Sequence, residues 1–279
     1  DVNPESIFDV QAKRMHEYKR QLMKALHILA LYDDITEGRL SLEAVPPITF
    51  IFAAKAAPGY RRAKEVIRLI NAISRLIEND PGTRDRIPVV FLENYDVTAA
   101  QHLMPAAEVS EQISTAGTEA SGTGNMKFML NGAITLGTMD GANVEIAEQV
   151  GPENIFIFGA EVDEIERMKA DGSYDPRAVV AANPRLERAL HHLIDGSLPT
   201  SDGSRFEELY YALRPDHGRG DDYFVLYDFA SYDERARDVM RAYLDRDRWI
   251  SSAIVNTAKS GYFSSDRTIE DYNELIWHL

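Results

Sequence analysis

Pro46-Pro47-Ile48-Thr49-Phe50-Ile51-Phe52 places a short, continuous apolar run behind two prolines. Its length suits a strand covered on both faces, as in a parallel sheet, better than a helix. The pattern then repeats. Pro58-Gly59 opens a predicted helix carrying Ala63, Val66, Ile67, Ile70, Ile73, Leu76 and Ile77. Pro88-Val89-Val90-Phe91-Leu92 is a second buried strand, followed by a third, short helix toward Met104.

Upstream, from Pro4 to Asp34, apolar residues from Ile7 to Ala30 recur at mostly three- and four-residue steps. Lys13, Arg14, Lys19, Arg20 and Lys24 fall between them. This spacing predicts one long helix with a basic face. Downstream, Val109 to Ile113, Ile134 to Gly137 and Ile155 to Phe158 read as three more strands, with helices after Gly124 and Ala142. From Val162 onward the pattern is mainly helical, with candidates at Arg185–Leu193, Phe206–Leu213, Tyr232–Leu244 and Trp249–Lys259. The polar stretches Pro199–Arg205 and Arg214–Asp222 read as surface loops. Strands alternating with helices imply an α/β fold: a Rossmann-like doubly wound parallel sheet with additional carboxyl-terminal helices. Such sheets bind ligands at the carboxyl ends of their strands.

The chain has 279 residues, room for one large domain or two small ones at about 150 residues each. With 44% hydrophobic and 27% charged residues it belongs with globular chains, not disordered or collagen-like ones. Forty-five acids against 30 Lys plus Arg leave a net charge of −15, which repels nucleic acid and anionic membranes, so any basic site must be local. The absence of cysteine excludes disulfides, thiolate metal sites and Cys nucleophiles, and makes the cytoplasm the default compartment. The His191-His192 pair lacks acidic or thiol partners at a ligand-like spacing, so no metal site is expected there. The start Asp1-Val2-Asn3-Pro4 shows neither an initiator Met nor a signal pattern, which suggests a piece of a longer polypeptide.

The densest chemical signal runs from Ser114 to Lys127: Ser-Thr-Ala-Gly-Thr-Glu-Ala-Ser-Gly-Thr-Gly-Asn-Met-Lys. Small residues between a strand and a helix let an anion approach bare backbone N–H groups, and the helix start adds positive potential. The segment is not a nucleotide-binding P-loop, because Thr123-Gly124 stands where Lys-Ser/Thr is required. Nor does Gly122-Thr123-Gly124 continue to a third glycine, since Lys127 holds that place, so NAD is weakly supported. From the glycines alone, a plain tight turn and a phosphate cradle both remain open. Lys127 is either an ordinary solvated lysine or one that pairs with a phosphate or forms a Schiff base with an aldehyde such as pyridoxal phosphate.

The stretch Glu111 to Glu145, with Gly132-Ala133 and Gly137-Thr138-Met139-Asp140-Gly141-Ala142-Asn143-Val144-Glu145, resembles the pyridoxal-phosphate segment of the α-glucan phosphorylases. So do Phe8-Asp9-Val10-Gln11, Lys13-Arg14, His16-Glu17-Tyr18-Lys19-Arg20-Gln21, Lys55-Ala56-Ala57-Pro58-Gly59-Tyr60, Phe91-Leu92-Glu93-Asn94-Tyr95 and Phe263-Ser264-Ser265-Asp266-Arg267-Thr268-Ile269. The similarity runs nearly end to end. It implies a single domain over 1–279, the carboxyl-terminal half of a two-domain GT-B type glycosyltransferase fold without its amino-terminal half.

The same resemblance implies a reaction: orthophosphate attacks an α-1,4-glucan and releases glucose 1-phosphate, with pyridoxal 5′-phosphate as cofactor. Lys127 matches the lysine that forms the Schiff base; Lys13, Lys19, Tyr95, Gly122, Thr123 and Gly124 match other cofactor-binding positions. Arg14 and Lys19 match groups that hold the substrate phosphate, and Glu119, Ala120, Ser121 and Gly122 match the stretch that bonds glucose hydroxyls. Two phosphates side by side need several cations and backbone donors. Arg14 suits bidentate phosphate recognition and Lys19 a movable point charge. His16 is given no chemistry, and Tyr60 is left out of the site because its aromatic partner lies in the other half of the family's chain. A homodimer is expected for the full-length enzyme, and activity is not expected of this chain alone. Two other readings remain, a cofactor-free structural or interaction fragment and a nucleotide-dependent Rossmann-type transferase.

Overall fold

The computed structural model describes residues 2–41, 43 and 45–279. Six strands form one parallel sheet: β1 (Ile7–Ala12), β2 (Ile48–Ala53), β3 (Val89–Leu92), β4 (Val109–Gln112), β5 (Ile134–Gly137) and β6 (Phe156–Ile157). Their order across the sheet is β3-β2-β1-β4-β5-β6, that of the doubly wound dinucleotide-binding folds. Helices α1 (Gln21–Thr36), α2 (Arg61–Glu78), α3 (Val97–Ala106), α4 (Gly124–Leu130) and α5 (Asn143–Val150) connect the strands in turn. The periodicity reading therefore holds from residue 46 to residue 158 almost element for element.

It fails at the start of the chain. The long helix expected over Pro4–Asp34 does not exist; its first part is β1, a central strand, and only Gln21–Thr36 is helical. The error has a physical origin. Asp9 and Gln11 interrupt the apolar run as helix-surface residues would, but both are buried, with Gln11 Nε2 donating to the Lys19 carbonyl at 3.1 Å. The basic helix face dissolves with it: Lys13 and Arg14 lie in the turn after β1, whereas Arg20 and Lys24 are completely buried.

Helix α1 is covered on nearly every side, leaving its ionised groups to find partners inside. Lys24 pairs with Asp9 of β1, and its Nζ lies 3.8 Å from Glu111 of β4. Burial above all, then the Asp9 carboxylate, holds Glu111 well above the usual carboxylate range. Beyond the sheet follow α6 (Val162–Asp171), α7 (Pro176–Ala182), α8 (Pro184–Asp195), α9 (Glu207–Leu213), α10 (Val225–Leu244), α11 (Arg246–Lys259) and α12 (Ser265–Tyr272). Four were anticipated by place, three with starts within three residues and α10 beginning at Val225 rather than Tyr232; α7 and α12 had no separate expectation. Tyr232 of α10 donates its hydroxyl to Glu111 at 2.8 Å. His192 bonds Asp33 at 2.8 Å while His191 sits 3.3 Å from Asp195, so each histidine does have an acid, but a separate one. Among the described residues no three His or acidic side chains converge as metal ligands, and no helix is long and apolar enough to cross a membrane.

Both sheet edges are short. β6 has two residues, and the Arg235 Nε donates to the Ile157 carbonyl at 3.1 Å. At β3 the Ser74 hydroxyl donates to the Val89 carbonyl at 2.7 Å.

Gly137 closes β5 where a side chain has no room: a Cβ there would lie 2.7 Å from the Gln112 carbonyl oxygen and 2.8 Å from the Asn143 Nδ2. Gly137→Ala is expected to cost about 1–3 kcal/mol, as overpacking in a closed interior does. Gly59→Ala, which meets nothing within 4 Å, serves as the comparison. Thermal melts should show a clear loss for the first and little change for the second; equal melting temperatures would disprove the close packing.

Candidate functional site: an anion cleft between β1 and β4

The chain leaves β1 for one side of the sheet and β4 for the other, so their carboxyl ends diverge into a crevice, the usual ligand position in such folds. The two strands pair only through Asp9 with Val109 and Val10 with Ser110. Above that point a narrow cleft of about 270 Å³, open mouth included, is lined by residues that include Gln11, Lys13, Lys19, Ser114, Glu119, Ser121, Asn125 and Asp140.

The loop from Ser114 to Thr123 forms one wall, and residues far along the chain hold it in place. The Asp140 carboxylate accepts from the Ser114 hydroxyl at 2.7 Å, the Gly117 N–H at 3.0 Å and the Glu119 N–H at 2.9 Å. Asn143 donates to the carbonyls of Gln112 and Thr138, both at 3.0 Å, and accepts from Asn125 at 3.1 Å. Gly141 is tight against the loop: its φ is +54°, and a Cβ there would sit 2.5 Å from the Ser121 carbonyl oxygen. None of Asp140, Asn143 or Asn125 was singled out from sequence, although the first two lie in the quoted motif Gly137–Glu145.

Of the cations expected at the site, Lys13 and Lys19 line the cleft, whereas Arg14 and Lys127 are not among its lining residues. Lys19 pairs with Glu119, and its ammonium lies 4.5 Å from the centre of the Tyr18 ring. Burial opposes the charge on Lys19, but Glu119 outweighs it and leaves the pKa above its ordinary value. Glu119 in turn is held below the usual range, because Lys19 and Lys13 outweigh its own desolvation. Lys13 has no such partner among the described residues. Burial first, then repulsion from Lys19, hold its pKa down to about 8. Its Nζ lies 3.7 Å from where a Cβ would stand on Gly122, whose φ is +85°. The missing side chain keeps that wall open beside a desolvated ammonium. Such a group gains from any anion that enters.

Glu119, Gly122 and Gly124 line this wall half-buried, whereas Ala120, Ser121 and Thr123 are exposed. Helix α4 has seven residues, so the lysines and loop amides, rather than a long helix dipole, supply the positive potential. Lys127, one turn into α4, and Arg14 are both exposed. Tyr95 is half-buried after a left-handed Asn94 (φ 51°) and packs with Phe8, Val90, Leu92 and Met104 on the cluster that contains Phe128, the neighbour of Lys127. Burial raises the Tyr95 hydroxyl pKa. His16 packs between Tyr18 and Tyr60, with ring centres 4.7 and 5.1 Å away, while the Tyr60 hydroxyl donates to Glu17 at 2.6 Å.

Comparison with known proteins identifies the family of the chain. The family model described as carbohydrate phosphorylase matches residues 1–279. The chain is 49% identical over 278 residues to the glycogen phosphorylase of Bacillus subtilis (strain 168), covering 100% of this chain and 34% of that protein. It is 47% identical over 279 residues to the maltodextrin phosphorylase of Streptococcus pneumoniae, covering 100% of this chain and 36% of that protein. It is 47% identical over 276 residues to the muscle form of glycogen phosphorylase from Mus musculus, covering 99% and 32%. The chain therefore spans about a third of the length of the curated relatives it matches. By sequence along its whole length, this chain belongs to the carbohydrate phosphorylase family.

Proposed function

We propose that this chain is the pyridoxal-phosphate- and phosphate-binding domain of an α-1,4-glucan phosphorylase, acting where a glucan and orthophosphate give glucose 1-phosphate. The observation that carries the reading is the cleft between β1 and β4, where the desolvated ammonium of Lys13 faces the open wall at Gly122 and is pressed by a second lysine. That arrangement is poor for an empty protein and good for a doubly charged anion.

The residues fit the cofactor. Lys127 is exposed and available to its aldehyde, Tyr95 offers a half-buried aromatic face on the neighbouring packing cluster, and the Gly122–Gly124 amides with Lys13 suit its phosphate. When bound, the cofactor supplies a phosphate that exchanges a proton with the substrate phosphate. The remaining work falls to the chain itself. Arg14, exposed beside Lys13, presents a fork for two oxygens of the substrate phosphate. Lys19 brings a charge that Glu119 holds in place until an anion competes for it. Glu119 and the 120–122 backbone present acceptors and donors to sugar hydroxyls. Cytoplasmic location and a homodimer of the full-length enzyme are part of the same proposal.

Two measurements test it. Treating the chain with pyridoxal phosphate, reducing with borohydride and mapping by mass spectrometry should place one pyridoxyl group on Lys127; adducts spread over surface lysines would favour the cofactor-free reading.

The second measurement follows the proton on Lys13. In the free protein its pKa is depressed to about 8, so near that pH a good part of it is neutral. A bound dianion stabilises the ammonium and raises the pKa, so binding must take up a proton. Sulfate, a dianion throughout this range, should bind with proton uptake at pH 8 that fades toward pH 6, where Lys13 is already charged. Calorimetry in two buffers of different ionisation enthalpy reads this directly; uptake equal at both pH values would place the anion elsewhere.

A further inference from the structure

We propose that Arg20 is a positioning residue for the anion cleft: its buried guanidinium fastens the peptide beneath Lys19 to the mouth of β4 and so fixes where the Lys19 ammonium stands. The proposal rests on the anion-binding reading above and assigns a task to a residue that touches neither cofactor nor substrate.

Arg20 is completely buried, and its backbone is left-handed at φ 57°, a conformation uncommon for a side chain of this size. Such conformations persist where surroundings over-determine them. Here Nε donates to the Ile113 carbonyl at 2.7 Å and one terminal nitrogen to the Ser114 carbonyl at 3.1 Å. The other terminal nitrogen donates to the Phe224 carbonyl at 3.3 Å and to Asp228 at 2.6 Å. The far end is fixed as well, because Asp228 accepts the Ala160 N–H at 2.9 Å. Ile113 and Ser114 are where β4 gives way to the loop that carries Glu119.

The residues beside Arg20 are fastened to the same strand ends. The Tyr18 carbonyl accepts the Thr115 N–H at 3.0 Å, and the Lys19 carbonyl accepts Gln11 Nε2 at 3.1 Å. Lys19 thus projects from a three-residue bridge whose piers are β1, β4 and the start of α10. Only a guanidinium offers enough donors, in a fixed fork, to span three carbonyls and a carboxylate at once. Lysine at position 20 keeps the charge and loses the span. Lys19 and Glu119 sit on opposite ends of this frame, so a slack frame separates them and relaxes the repulsion on Lys13.

The test compares Arg20→Lys with Arg185→Lys, which disturbs another buried ionic cluster, that of Asp34 and Asp233, none of whose residues lines the cleft. Both variants should lose thermal stability. Below their melts, Arg20→Lys alone is expected to weaken sulfate binding about tenfold and to move the pH midpoint of proton uptake upward, as Lys13 escapes Lys19. Equal sulfate affinity and an unmoved midpoint in Arg20→Lys would overturn the proposal and leave Arg20 a plain structural residue. Should Arg20→Lys not fold, Asp228→Asn, which keeps an acceptor for the fork, decides by the same two readings: a weaker, shifted binding supports the proposal and an unchanged one overturns it. Failure of the unmodified chain to bind sulfate would instead sink the anion-cleft reading itself.

Discussion

The two central strands are joined by little backbone pairing and much charge. β1 and β4 share only two registered residue pairs, and beneath the crevice Lys24 bridges Asp9 of one strand and Glu111 of the other, with Tyr232 closing on Glu111 from α10. Ionised groups removed from water are expensive unless each finds a partner. Burial above all, then the neighbouring Asp9 carboxylate, holds Glu111 well above the ordinary carboxylate range within this cluster of two acids and one lysine. The ionic joint leaves the strand ends free to separate above it, and the cleft exists because they do. Replacing the joint by a longer ladder would close the place where an anion is expected to sit.

The cleft repeats this logic with the opposite sign. Below, a lysine is satisfied by carboxylates; above, Lys13 is left without a close partner while Lys19 takes Glu119. The loop that carries Glu119 is held by Asp140 and Asn143 from across the β5 turn, so its amides are occupied on one side and presented on the other. Rigid walls and one unsatisfied charge are what a site needs if little reorganisation is to accompany binding.

How much of this was legible in the sequence depended on whether burial followed hydrophobicity. Runs such as Ile48–Phe52 and Val89–Leu92 announced their strands because covered strands are apolar throughout. β1 was misread as helix because Asp9 and Gln11 look like solvent-facing residues, and only the fold reveals that Lys24 and Lys19 supply their partners. Arg20 and Lys24 were placed on a basic helix face for the same reason: a basic side chain carries no mark of an interior carboxylate two hundred residues away, such as Asp228. The strand-to-helix loop that walls the cleft was legible through its motif of small residues. Asp140 and Asn143 were not assigned as its anchors, since nothing in local spacing says that the turn after β5 returns to the loop after β4.

The two sheet margins carry a separate implication. An open row of strand amides and carbonyls invites a strand from another molecule. Here one margin is two residues long with its Ile157 carbonyl taken by Arg235, and at the other the Val89 carbonyl is taken by Ser74. Continuation of the sheet from molecule to molecule is thereby disfavoured at both ends. Association with a second copy is left to helices and loops, where side chains rather than backbone choose the partner, and the chain gains protection from fibrous stacking while it does so.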